Sequence, residues 1–501
     1  MSPAPTPGPN VLIVMSDEQS WNTMGCTGNA AARTPALDEL CAESTSFDHA
    51  YTPFPLCCPS RTSLWTGLMP RHHGVLGNWR PIAPELRSAG LAADFAAAGY
   101  HTIYTGKWHV PGTTPGRMGW ADVSAIPAVI NGQDRGRFIP DYRKYAQRAG
   151  YTFDPQHIEN LTAADLAALR ELPYGTSSVR LQDYLETWQT DQFIAALERR
   201  RDDRPWLAAC SFNAPHFPLL APQPYDTIID RSLVRLPASL ATGPATTPRE
   251  VRESHYATDF ADLTEQDWTE CIAHYLGLCA LVDAQFSRIV DHLQRIGEWD
   301  NTIVVFTADH GDMMGAHGLM QKGHLLHYEE DLRVPLIIRH PDIGPGRVDN
   351  LISVCDISRT VAELAGVSLT GATMREQTTD GISFVGLLGR SDASPTRCYV
   401  TAETTLVDGQ AGGHGEPFFA TDWTYPRDSL NLSVRTPDLR YVFRSHDEDE
   451  LYDLHLDPNE IVNRAADPVY ATTRTELRTI LAEEVGDSFA GVADRLRRPA
   501  G

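Results

Sequence analysis

The sequence predicts an α/β protein: a large, mostly parallel sheet sandwiched by helices, followed by a smaller C-terminal α+β domain containing an antiparallel sheet. Three observations carry this. Short apolar, β-branched runs alternate with helical periodicities through about the first 375 residues, the pattern of strands buried between helices. Two of those runs, residues 11–16 and 303–308, end directly on acidic residues. Beyond about residue 375, closely spaced strand-like segments and one terminal helix take over. The expected division is 1–375 for the α/β domain and 376–501 for the α+β domain.

Residues 10–16 read as the first strand. Thr34-Pro35 then opens a helix through residue 42, with Thr as N-cap and Pro in the first turn. Residues 91–98 form a helix stopped by Gly99, and residues 101–105 the next strand. A helix over 191–200 precedes a strand over 206–212. A long helix starts near Thr264 and ends at Gly297. Its apolar positions Trp268, Ile272, Leu276, Cys279, Phe286, Val290 and Leu293 recur at three- and four-residue spacing. Residues 302–308 and 335–339 are further buried-type strands. After a Gly-rich loop at 409–415 come candidate hairpin strands at 430–435, 440–444 and 450–454, then a helix from about Tyr470 to Glu484. The long irregular stretches 112–190 and 219–262 are of the kind that shape a site's mouth. Tyr142, Tyr151, Tyr174 and Trp423 lie in such loops, either as an aromatic wall or, as for most scattered loop aromatics, as packing.

Composition excludes several classes. The formal charge of −23 over 501 residues argues against nucleic acid or an anionic membrane as a partner. No run reaches the roughly 18 apolar residues of a membrane span. Residues 1–9 are Pro-rich and uncharged, without a basic segment or cleavage site ahead of the apolar run, so no signal peptide is expected and the cytoplasm is the expected location. Nine cysteines without regular spacing make neither a disulfide framework nor a zinc knuckle. Of 42 basic residues only Lys107, Lys144 and Lys322 are lysine.

In open α/β sheets, ligands bind beyond the carboxyl ends of the strands. Here one strand meets Asp17-Glu18-Gln19 and another meets Asp309-His310-Gly311-Asp312. If these strands are neighbours, Asp17, Asp309 and His310 converge. Oxygen-rich sites with an imidazole suit Ca²⁺, Mg²⁺ or Mn²⁺. Either Asp alone reads as a helix or turn cap; two matching occurrences, one with His attached, favour a metal site. The third feature is Cys57-Cys58-Pro59-Ser60-Arg61, followed by Thr62-Ser63-Leu64-Trp65-Thr66-Gly67.

That segment resembles the C-x-P-S-R signature of type I sulfatases, members of the alkaline phosphatase superfamily. The resemblance continues in the family's order along almost the whole chain. It runs through Gly106-Lys107-Trp108-His109, Pro215-His216-Phe217-Pro218, Asp309-His310-Gly311-Asp312, Gln321-Lys322-Gly323 and Tyr328-Glu329-Glu330. It closes with Glu450-Leu451-Tyr452-Asp453-Leu454 and Asp457-Pro458-Asn459-Glu460. It implies that Cys57 is oxidised to formylglycine by a formylglycine-generating enzyme. It further implies that Asp17, Asp309 and His310 hold one divalent metal together with residue 57. Ca²⁺ is the first choice, with Mn²⁺ and Mg²⁺ as alternatives. Glu18 completes that shell, standing where many relatives carry Asp.

The same resemblance assigns roles to the remaining groups. A hydroxyl of the hydrated aldehyde attacks sulfur, and His109 takes the proton from the second hydroxyl so that the aldehyde re-forms and sulfate leaves. Arg61 steadies the nucleophile and ligand oxygens. Lys107, His216 and Lys322 hold substrate oxygens, and one of the latter two protonates the leaving group. Asn78 donates a hydrogen bond to the substrate. His72, His73, His317, His324 and His327 read as structural.

The implied reaction is hydrolysis of an aryl or alkyl sulfate monoester, a small molecule, with a homo-oligomer left open. The alternative within the superfamily is a phosphonate monoester or phosphodiester hydrolase, against which Lys107 beside His109 weighs, those enzymes tending to lack that lysine. A non-catalytic binding protein on the same fold is the remote alternative. Two of the three lysines fall where the family calls for one, and Lys can be tuned to give up a proton at working pH where Arg cannot.

Overall fold

The computed structural model describes residues 8–78, 80–126, 140–151, 168, 172–369, 380–390, 394, 396–406 and 429–498. The strands, in chain order, begin with β1 (Asn10–Asp17), β2 (Thr45–Tyr51), β3 (His101–Lys107), β4 (Asp122–Ile126) and β5 (Tyr174–Thr176). Next come β6 (Trp206–Pro215), β7 (Leu219–Ala221), β8 (Thr302–Ala308), β9 (Arg333–Val334), β10 (Leu336–Arg339) and β11 (Gly346–Ser353). The last four are β12 (Val400–Leu406), β13 (Ser429–Arg435), β14 (Leu439–Arg444) and β15 (Glu450–Asp453). The main sheet has the order β11-β2-β10-β8-β1-β6-β3-β4, with β9 paired to β2. All pairings from β8 to β4 are parallel; β10 runs antiparallel to both its neighbours.

The two-residue period of a strand explains the layers. Val11, Ile13 and Met15 of β1 point into one core, and Leu12 and Val14 into the other. The first core is closed by the helices Cys57–Thr66, Leu91–Ala97 and Val354–Leu364, the second by Pro35–Glu43, Leu185–Arg199 and Glu265–Arg295. The long helix Glu265–Arg295 starts on a capping box at Thr264, whose hydroxyl and Asp267 exchange hydrogen bonds with each other's backbone N–H. The C-terminal sheet β12-β13-β14-β15 is antiparallel throughout and packs on the helices Ala471–Val485 and Ala490–Arg497. No helix among the described residues is long and apolar enough to cross a membrane.

Several local expectations differ. Thr34 does not cap its helix: its hydroxyl accepts the Gly25 N–H at 2.9 Å. The cap comes from Asp283, whose carboxylate takes the Leu37 and Ala36 N–H groups at 2.8 and 3.3 Å. The helix expected from 191 begins at Leu185. β2, β4, β5, β7, β9, β11 and β12 were not expected as strands. In β2 the alternation is half polar because that strand is only partly covered. Tyr142 and Tyr151 bond Asp183, and Tyr174 bonds Asp267, all as packing contacts. Trp423 lies outside the described residues.

Candidate active site

The sheet register brings the two acidic strand ends together. β1 and β8 run side by side with Ser16 opposite Ala308, so Asp17 and Asp309 leave the sheet at the same level. The chain then turns sharply, Glu18 taking φ 65°. The Glu18 and His310 N–H groups both donate to Asp309 Oδ1 at 3.0 Å, which fixes that carboxylate. Cys57 reaches the same place from the helix Cys57–Thr66, as its first residue. Its Sγ lies 3.2 Å from His310 Nε2. His310 Nδ1 donates to Gly311 O at 2.9 Å, leaving Nε2 as the inward-facing lone pair.

The ligand atoms of Asp17, Cys57, Asp309 and His310 all lie within 4.8 Å of one another, and all four residues are buried. Asp17 Oδ1 has no hydrogen-bond donor despite its burial, a costly arrangement for a carboxylate oxygen. Two carboxylates and an imidazole are a donor set for a hard divalent cation, and such a cation would satisfy the orphaned oxygen. The residues present fit a metal site.

Cations crowd the same spot. Arg61, one turn along from Cys57 and fully buried, places Nε 2.7 Å from Asp309 Oδ2 and Nη2 3.5 Å from Asp17 Oδ1. Its Nη1 donates to Lys107 O at 2.9 Å and Ser211 Oγ at 2.7 Å. Lys107, the last residue of β3, pairs with Asp17 Oδ2 and lies 3.6 Å from Cys57 Sγ. Burial alone would raise the Asp17 pKa, but Lys107, His216, Arg61 and His310 outweigh it and hold the carboxyl well below its usual value. Burial pushes the Cys57 thiol up, against the pull of Lys107.

Close by, Lys322 Nζ donates to Glu18 Oε2 at 2.7 Å and sits 2.7 Å from His216 Nε2. His216 Nδ1 donates to Phe217 O at 2.6 Å, so Nε2 is the acceptor in that contact. Burial, then Lys322 and Lys107, keeps the His216 imidazole neutral by drawing its pKa well down. Glu18, expected in the metal shell, stands outside the four-residue group: its longer side chain carries Oε2 to Lys322, with His216 Nε2 at 3.4 Å. Burial raises the Glu18 carboxyl well above its usual pKa, with Lys322 opposing. His109, at φ 51°, has an unpartnered buried Nδ1 and a pKa well below its ordinary value, by burial first and then Lys107 and Arg61. Asn78 Oδ1 accepts the Cys58 N–H at 3.0 Å and so caps the helix that carries Cys57.

The five histidines read as structural have partners of their own. His73 bonds Ser63, His72 pairs with Asp380, and His327 bridges Ser433 and Thr404. His317 stacks on Tyr328, and His324 meets the ring of Phe54 edge-on. Three supporting groups carry no sequence signal of their own. Ser211 ends the apolar run of β6; Ser20 accepts the Asp312 N–H; Tyr275 accepts the Ser20 N–H and donates to Glu18 O at 2.6 Å. In sequence, Tyr275 is one more member of the long helix's apolar stripe.

A buried cluster of two carboxylates, an imidazole and a thiol that fits a divalent cation, at the carboxyl ends of parallel strands β1 and β8, with a Cys-x-Pro-Ser-Arg helix starting at it, defines the class. The chain belongs to the sulfatase family, whose sequence model matches residues 9–367. By that membership it is a sulfuric ester hydrolase of the alkaline phosphatase superfamily. It is 28% identical to a choline-sulfatase of Rhizobium meliloti over 472 residues, which span 92% of this chain and 83% of that protein. It is 27% identical to an arylsulfatase of Clostridium perfringens over 97% of this chain and 96% of that one. Among solved structures, a phosphonate monoester hydrolase of Silicibacter pomeroyi superposes with a TM-score of 0.76 at 25% identity, covering 96% of this chain and 97% of that one.

Proposed function

We propose that this protein hydrolyses a small aryl or alkyl sulfate monoester, with residue 57 acting as formylglycine beside one divalent cation, Ca²⁺ in the first place. The observation that carries the reading is the convergence on Cys57 Sγ of His310 at 3.2 Å, Lys107 at 3.6 Å and the carboxylates of Asp17 and Asp309. Asp17, Asp309 and His310 would hold the cation with residue 57, and the cation would supply Lewis-acid charge to the reacting oxygens. As formylglycine, residue 57 supplies a hydrated aldehyde, whose two hydroxyls allow attack and then release of sulfate by elimination without a hydrolytic second step.

The chain's own residues account for the rest. Arg61 and Lys107 bring two positive charges to a buried anionic site, where they act more strongly than in water. The neutral His109, its Nδ1 free of any hydrogen bond, is a base for the proton released in the elimination. Because His216 Nε2 accepts from Lys322, the lysine is the proton donor of that pair. Lys322 is therefore the acid for the leaving-group oxygen, with His216 and Glu18 aligning its ammonium.

A second reading, phosphonate monoester or phosphodiester hydrolysis, is favoured by the structural likeness to the Silicibacter pomeroyi enzyme. The lysine at 107 weighs against it. The test is turnover of an aryl sulfate, an aryl phosphonate and an aryl phosphodiester under identical conditions. The sulfate should be turned over fastest; the reverse ranking overturns the sulfatase reading.

A further inference from the structure

The short helix Glu329–Leu332 lies between the catalytic loops and the C-terminal sheet, and both sides are fastened to it. On the catalytic side, the Asp331 carboxylate accepts the Gly323 N–H at 3.3 Å, next to Lys322. Asp331 O accepts the Gly311 N–H at 2.8 Å, next to His310. Glu330 O lies 3.0 Å from Ser20 Oγ, which in turn takes the Asp312 N–H. Gly311 runs so close to this helix that a Cβ there would come within 1.9 Å of Glu330 O. One helical turn thus fixes the segments carrying Glu18, His310 and Lys322.

From the other side, two carboxylates of the C-terminal unit grip consecutive residues of that turn. Glu450 Oε2 accepts the Tyr328 hydroxyl at 2.9 Å, and Glu460 Oε2 accepts the Glu329 N–H at 2.8 Å. Both are themselves fixed by arginines, Glu450 by Arg444 and Glu460 by Arg440, and Arg440 also pairs with Glu329. Every one of these groups is buried, so each bond acts at low dielectric and resists replacement by water. The two ends of the Glu450–Glu460 segment therefore bear on the same turn.

We propose that Glu450 and Glu460 are positioning residues for the reaction, acting through Tyr328 and Glu329 on the placement of Lys322. The proposal rests on the role given to Lys322 above. In this arrangement the C-terminal unit sets the geometry of proton donation without touching substrate. A loosened turn lets Gly323 drift from Asp331 and withdraws the Lys322 ammonium from its place beside Glu18 and His216. General-acid help is worth roughly 10²- to 10⁴-fold, and it counts most for poor leaving groups.

The test uses the full-length, modified enzyme as Glu460→Ala, Glu460→Gln and Tyr328→Phe, with Lys322→Ala as reference. Tyr328→Phe removes a single oxygen atom and serves should Glu460→Ala fail to fold. The first readout is kcat on phenyl sulfate against 4-nitrophenyl sulfate. We expect Glu460→Ala and Tyr328→Phe to lose about tenfold more on phenyl sulfate, within the range of general-acid catalysis. Glu460→Gln keeps an oxygen for the Glu329 N–H and should recover most of that loss. Equal losses on both esters, or none, in folded variants overturn the proposal.

The second readout is independent of activity. The chain has only three lysines, so competitive acetylation reports each one separately. Lys322 labelling should rise several-fold relative to exposed Lys144 in Glu460→Ala, with Lys107 unchanged. Wild-type labelling of Lys322 in that variant overturns the positioning role. Equal losses on both esters in Lys322→Ala overturn the acid role itself, and the labelling result then shows whether the positioning survives it.

Discussion

Removing the Arg61 guanidinium should be the most damaging single change near the nucleophile, and most damaging when no cation is bound. The side chain is fully buried and serves Asp309, Lys107 O and Ser211 at 2.7–2.9 Å, with Asp17 at 3.5 Å. Breaking a buried ion pair from one side costs about 3–5 kcal/mol. Two stranded neutral acceptors add about 1 kcal/mol each, and partial relaxation gives some of that back, for a total of about 5 kcal/mol. Unfolding entropy of about 2.1 cal/mol/K per residue over 501 residues is about 1 kcal/mol/K, so Arg61→Ala should lower Tm by about 5 °C. The assay is thermal unfolding at a fixed scan rate, on chelator-stripped protein and again with saturating Ca²⁺. A bound cation replaces part of the lost positive charge between Asp17 and Asp309, so the gap to wild type should narrow in Ca²⁺. A shift below about 1 °C in stripped protein, or a gap that Ca²⁺ leaves unchanged, would refute the reasoning.

Two other predictions test the metal site and the pH response. Stripped wild-type protein should gain thermal stability on addition of Ca²⁺, by about 4 kcal/mol at a thousand-fold excess over Kd, and Asp309→Asn should lose most of that gain; an undiminished gain would place the cation elsewhere. Burial raises the Asp283 carboxyl to about 7 against the pull of the Leu37 and Ala36 N–H groups. The unfolded value is about 3.9, so the folded state binds the extra proton between those limits and this group's contribution to stability falls as pH rises through that window. Asparagine cannot titrate, so the urea midpoint of wild type should fall relative to Asp283→Asn between pH 5 and pH 8; a constant difference contradicts the assignment.

Much of the site was legible because its chemistry lies in short contiguous segments at strand ends. The apolar run of β1 and that of β8 each stop on an acidic residue, and parallel neighbours bring such ends to one level. Cys57, Lys107, His216 and Lys322 were found by motif, and all four lie around one point. What sequence did not reveal depends on contacts between distant segments. Asp283 caps a helix that starts almost 250 residues earlier, so Thr34 beside it only looked like the cap. The short run of β10 reads the same in either direction, and its antiparallel course follows from neighbours that sequence does not name. Glu18, placed in the metal shell by the resemblance, lies outside the four-residue group: its Oε2 goes to Lys322, while its Oε1 is buried without a hydrogen-bond partner. The turn at Glu329–Leu332 begins within the motif segment Tyr328-Glu329-Glu330 but received no role from sequence, because its bonds run to segments far away in the chain.

The most direct test is the mass of the peptide containing residue 57, taken from protein purified from its native host. Oxidation to formylglycine replaces the CH₂SH side chain by CHO, so the peptide should carry an aldehyde that forms a hydrazone with a hydrazine reagent. An intact thiol at Cys57 in catalytically active protein would contradict the account at its centre.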